Sequence, residues 1–72
     1  MSIHLGKYRH TKSGNLYEVL GTAFQTETEE LLVIYRPLYE SEYELFARPY
    51  DMFIEQVAIN GKQLPRFEEI HE

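Results

Sequence analysis

Two arginines are the residues best placed to do chemistry. Arg36 closes the run Leu31-Leu32-Val33-Ile34-Tyr35, and Arg48 closes the run Tyr43-Glu44-Leu45-Phe46-Ala47. A guanidinium set among apolar and aromatic residues is costly unless it is paired or stacked. Two arrangements meet that demand. In one, Glu18, Glu44 or Asp51 pairs with the arginines, or a tyrosine ring covers them. In the other, Arg36 and Arg48 line a groove with Tyr8, Tyr35, Tyr39 and Tyr50. Stacked, fork-shaped donors there would hold a carboxylate, a phosphate or an extended peptide carrying an acidic group. The binding residues expected on this second reading are Tyr8, Tyr35, Arg36, Arg48 and Tyr50.

Other chemistries find less support. His4 and His10 lie six residues apart and His71 sits near the C-terminus, so no His/Cys/carboxylate spacing for zinc is present. The serines, Ser2, Ser13 and Ser41, fall in loops or at ends, where nothing points to a base and an orienting group. No Gly-rich phosphate loop occurs. The expectation is a non-enzymatic domain with no cofactor and no metal.

The balance of the 72 residues narrows the partners. Net charge is −5, and the acids cluster as Glu27-Glu29-Glu30, Glu40-Glu42-Glu44 and Glu68-Glu69-Glu72. That argues against a general nucleic-acid binder, since a phosphate backbone needs a basic surface. A local strip of Lys7, Arg9, Lys12 and Arg36 keeps RNA as a lesser alternative. No apolar run approaches the ~20 residues that span a membrane, and the first residues lack a signal pattern. There is no cysteine, which suits a reducing cytoplasm. Six tyrosines and four phenylalanines either fill the core or display rings for recognition.

The elements that must position these residues are strands. Gly6-Lys7-Tyr8-Arg9-His10 alternates, and Gly14 permits the turn after it. Leu16 to Phe24 is a long strand in which Gly21 marks a bulge or bend. Leu31 to Tyr35 is apolar throughout and predicts a strand buried on both faces. Tyr43 to Arg48 predicts its antiparallel neighbour, with Tyr43, Leu45 and Ala47 on an apolar face. The parity of the connecting loop decides whether Arg36 and Arg48 share a face. Pro49-Tyr50-Asp51-Met52-Phe53 predicts one helical turn, with Met52, Phe53 or Ile54 plugging an open end of the sheet. Asn60-Gly61 between Gln56–Ile59 and Lys62–Phe67 is a strong hairpin signal, and Pro65 marks an edge. The expected fold is mainly β: a small, SH3-like curved β-barrel of five to six antiparallel strands with one short helical turn. It would form a single domain over 6–67, with 1–5 and 68–72 as loose termini.

Several of these stretches together resemble a small bacterial domain family of unknown function, DUF1653. They are Gly6-Lys7-Tyr8-Arg9-His10, Tyr35-Arg36 with Leu38-Tyr39, Arg48-Pro49 with Phe53, and Pro65-Arg66-Phe67. The resemblance runs from about Gly6 to Phe67 and implies a compact, mainly cytoplasmic bacterial domain. It supplies no activity, cofactor or site residue. The functional expectation is therefore a small binding module that recognises an anionic small molecule or a peptide through an Arg/Tyr-lined face. The alternatives are a structural or protein-interaction subunit and an RNA-binding module.

Overall fold

A computed structural model describes residues 3–71. The strands are β1 (Gly6–His10), β2 (Leu16–Gln25), β3 (Glu30–Pro37), β4 (Phe46–Pro49), β5 (Gln56–Ile59), β6 (Lys62–Pro65) and β7 (Phe67–Glu69), with one helical turn, α1 (Tyr50–Phe53), between β4 and β5. Five strands form an antiparallel sheet in the order β4-β3-β2-β1-β7, and β5-β6 form a separate hairpin. The sheet curls into a half-barrel, so β4 and β7 are its two free edges.

The cross-strand register sorts residues onto two faces, because successive side chains alternate. Tyr8 faces Tyr17, Val19 faces Tyr35, and Val33 and Tyr35 face Arg48 and Phe46. These side chains share the concave face. The buried set is Tyr8, Val19, Val33, Tyr35, Phe53 and Phe67, with Ile3, Tyr17, Phe46 and Tyr50 packed against it. Phe53 is delivered by α1. Pro49 opens that turn at φ −52°, and the Ile54 amide closes it on the Tyr50 carbonyl at 3.1 Å. Met52 and Ile54 point outward, and Phe53 alone of the three plugs the concavity. It stacks on Phe67 with 4.1 Å between ring centroids and 5° between planes.

The glycine bend is real. The β2–β3 register slips between Val19 and Gly21, leaving Leu20 unpaired and 43% exposed. A bulge of this kind sharpens the twist that curls the sheet. Asn60 (φ 52°) and Gly61 (φ 77°) give the positive backbone angles of a type I′ turn.

Three expectations are corrected. β3 is buried on one face only: Val33 and Tyr35 are buried, while Leu32 and Ile34 are half-buried, since a half-barrel covers only its inside. β4 begins at Phe46, not Tyr43, and its inward residues are Phe46 and Arg48. Extending β4 backward would carry Glu44 onto the core face, where an unpaired carboxylate is expensive to bury. Tyr43 and Leu45 are instead exposed loop residues. Finally, Glu68 and Glu69, expected in a loose tail, lie in β7 opposite Arg9 and Tyr8. Arg9 holds Glu68 at 2.6 Å, so an acid that reads as tail becomes a paired strand residue.

Phe53→Ala should remove the plug and cost ~3–5 kcal/mol, read as a large fall in the thermal or urea midpoint. Gly61→Val should cost about 1–2 kcal/mol through strain at positive φ alone, since no neighbour approaches within 4 Å of the added carbon. An unchanged midpoint for either variant would contradict the packing described.

Candidate functional site

The five residues expected to bind do not form one surface. The β3–β4 register sets Arg48 opposite Val33 on the concave face. Arg36 lies opposite Glu18 on the outer face. Tyr8 and Tyr35 are buried, and Tyr50 is half-buried against the same core. The Tyr8 hydroxyl donates to the His4 carbonyl at 2.8 Å. Burial, then Glu69 and Tyr50, hold its pKa above the usual tyrosine value. These three rings are chiefly structural. Tyr50 also borders a hollow of about 340 Å³ shared with Glu29, Glu30 and Asp51, whose carboxylates oppose an anion there.

Arg36 lines a surface groove on the opposite side of the sheet. Its volume is about 490 Å³, within the range of small-ligand and peptide sites. Leu20, Pro37, Tyr39, Ser41, Tyr43, Glu44 and Leu45 line it with Arg36. Local sequence builds each part. The bulge at Val19/Gly21 turns Leu20 outward. The loop over 38–45 cannot enter β4, and it folds along the sheet end. Its anchor is Tyr39, whose hydroxyl meets that of Tyr17 at 3.0 Å. Burial first, then Tyr39, raises the Tyr17 pKa above its ordinary value.

Apolar surface is plentiful here. Leu20, Tyr39, Tyr43 and Leu45, which line it, are exposed by 43%, 41%, 60% and 53%. A contiguous set of this kind marks a contact surface more often than scattered single residues do. The guanidinium beneath it is already engaged. Arg36 Nε donates to Glu18 Oε1 at 2.7 Å, and its Nη2 lies 2.6 Å from the same oxygen. Glu40 and Glu42 follow on the same loop, and Glu44 lines the groove itself. The groove thus mixes apolar and polar surface, and Glu44 is the one carboxylate among its lining residues. The sequence led to Arg36 and Tyr39 as groove-lining residues but did not place Leu20 and Leu45 beside them. The glycine bend marked Leu20, and the parity of Glu44 with Phe46 would have exposed Tyr43 and Leu45.

One serine–histidine contact occurs among the described residues. Ser13 Oγ lies 2.9 Å from His10 Nδ1. The same turn also bonds the Ser13 amide to His10 and the Asn15 amide to Ser13. Among the described residues no carboxylate orients this imidazole, and its charged neighbours are Arg48, Arg66 and Lys12, which oppose the imidazolium a general base must become. No group of three or more potential metal ligands occurs among the described residues.

The family model for a protein of unknown function, DUF1653, matches residues 6–69. The chain belongs to the DUF1653 family. A crystal structure of a DUF1653 protein from Bordetella bronchiseptica superposes with a TM-score of 0.86 at 33% identity, covering 94% of this chain and 87% of that one. A comparison with curated proteins gives no match. Membership of DUF1653 thus agrees with the fold and names no ligand.

One pH effect follows from the inner face of this DUF1653 domain. Burial, then Arg48, Arg66 and Lys12, lowers the His10 pKa below its ordinary value of 6.5. The unfolded chain then takes up the His10 proton first as pH falls. His10 thus contributes stability that is present above pH ~6.5 and is lost as pH drops toward the folded-state pKa. His10→Gln should flatten the dependence of the urea midpoint on pH between about 7 and 5. An equally steep profile in the variant would assign the effect elsewhere.

Proposed function

We propose that this domain is a non-enzymatic binding module whose recognition surface is the outer groove. Its occupant would be an extended peptide segment with an apolar or aromatic anchor and basic flanks. The observation that carries this reading is the gathering of Leu20, Tyr39, Tyr43 and Leu45 around one concavity of about 490 Å³. Tyrosine rings offer large contact area at low entropic cost, and such rings dominate binding energy where they are found. The basic flanks follow from charge. Glu18 neutralises Arg36, so Glu44 in the groove, with Glu40 and Glu42 exposed on the same loop, gives this side a negative sign. An anionic ligand in this groove would have to displace Glu18, which makes the anionic version of the reading the weaker one here. A chain without cysteine, in which no helix among the described residues is long and apolar enough to cross a membrane, is compatible with the cytoplasmic location we propose with it.

Chemical-shift mapping with a panel of extended peptides of graded charge tests the proposal. Basic peptides with an aromatic anchor should perturb Leu20, Arg36 and the loop over 38–45. Tyr43→Ala should leave the thermal midpoint intact, because the ring is in a loop outside the core. It should weaken binding about tenfold, the loss expected of an anchoring ring. Preferential binding of acidic peptides, or shifts confined to other surfaces, would overturn it.

A further inference from the structure

The other arginine leads to a different site, independent of the groove. The chain has four arginines, and three of them hold a carboxylate closely: Arg9 to Glu68 at 2.6 Å, Arg36 to Glu18 at 2.6 Å and Arg66 to Glu55 at 2.7 Å. Arg48 has no such partner among the described residues. Its Nε reaches the Tyr35 hydroxyl at a long 3.4 Å, and its guanidinium carbon lies 5.5 Å from the centroid of the Phe67 ring. The two terminal nitrogens have no hydrogen-bond acceptor among the described residues. In a chain with 12 acids and 7 bases, such a half-buried, carboxylate-free guanidinium is conspicuous.

Its surroundings add positive charge. The His10 ring packs edge-on against Phe67 with centroids 5.0 Å apart. Arg48 and His10 therefore both lie within 5.5 Å of one ring, at the seam where the edge strands β4 and β7 approach each other. Arg66 directly precedes Phe67, and its carbonyl accepts the Thr11 amide at 2.9 Å, which ties it to the strand end carrying His10. Its Nε is buried and has no acceptor among the described residues. Lys12 stands in the turn that follows β1, and the charges felt by His10 are Arg48, Arg66 and Lys12, all positive. Glu55 offsets the charge of Arg66, so the uncompensated charge here is chiefly that of Arg48, and a guanidinium with unused donors favours the approach of something negative.

We propose that Arg48 and His10, flanked by Arg66 and Lys12, form a binding site for a small oxyanion, a carboxylate or phosphate group, at the β4–β7 seam. The terminal nitrogens of Arg48 supply paired donors, and His10 adds Nε2–H, since its Nδ1 accepts the Ser13 amide, together with a positive charge once the ring is protonated. Binding is then linked to protonation: the anion binds more tightly to the imidazolium, so it must raise the His10 pKa in return.

Proton NMR of the His10 ring and of the Arg48 side chain tests this at constant ionic strength, with chloride exchanged for inorganic phosphate in one series and for acetate in another. Saturable shifts at both residues and a rise in the His10 pKa are expected. A response to phosphate alone identifies a phosphate site, and one to acetate alone a site for carboxylates such as acidic side chains. Arg48→Met should weaken the response about tenfold, the effect of losing a hydrogen bond to a charged group. If that variant unfolds, His10→Gln serves instead: it should weaken anion binding at pH 5.5 and leave it unchanged at pH 8. Shifts that never saturate, the absence of any anion-specific response, or an undiminished response in the folded variants would overturn the site.

Discussion

The stacked contact between Phe53 and Phe67 is what the other elements converge on. One ring arrives from the helical turn after β4, the other from the strand added beside β1. Around the pair stand Tyr8, Tyr17, Tyr35 and His10, each edge-on to one ring or both. A chain of 72 residues without cysteines cannot build a deep aliphatic core or staple a shallow one. Large rings resolve this, because each buries more apolar area per residue than an aliphatic side chain and contributes geometry-specific attraction besides. The half-barrel is curled as tightly as it is because Val19 must reach Tyr35 while Leu20 is expelled at the bulge.

That packing dictates where the charges lie. Once the concave face is filled with rings, most ionisable residues must stand on the outer face and balance each other there. Lys7, Glu18 and Arg36 succeed one another across β1, β2 and β3, and Arg9 meets Glu68 across β1 and β7. Arg48 is the exception that strand alternation forces inward, and the ring of Phe67 is what it meets. The two arginines alike in sequence context thus acquire opposite electrostatic histories: one is neutralised at the surface, the other left charged beside the core.

Much of the fold was legible in the sequence. Asn60-Gly61 demanded a tight hairpin, Gly21 a bulge, and Pro49 with Phe53 a capping turn, because each rests on a local steric or burial rule. The start of β4 was not legible from propensity, since Tyr43 and Leu45 are good strand residues. What stopped the strand was a long-range fact, that Glu44 shares a face with Phe46, and this becomes visible only once the register to β3 is known. The same parity decided the site. Arg36 and Arg48 look equivalent along the chain, and only pairing with Glu18 on one face and Val33 on the other separates them. The groove was half legible for a related reason: its aromatic loop could be named, but the rest of its lining depended on which residue the bulge would expel.

The pairing of β1 with β7 has a consequence for how the molecule comes into being. Tyr8, Arg9 and His10 find their partners at Glu69, Glu68 and Phe67, almost the full length of the sequence away. During synthesis β1 to β4 can zip together locally, each strand beside the one before it, yet Phe53 then has nothing to stack on and the first strand keeps one bare edge. Closing so long a loop is entropically slow. A nascent or clipped chain lacking Phe67 would therefore expose the rings of Tyr8, Tyr35 and Phe53, the kind of surface that chaperones and proteases read as unfinished. The core of this domain is thus complete only once its last strand delivers Phe67.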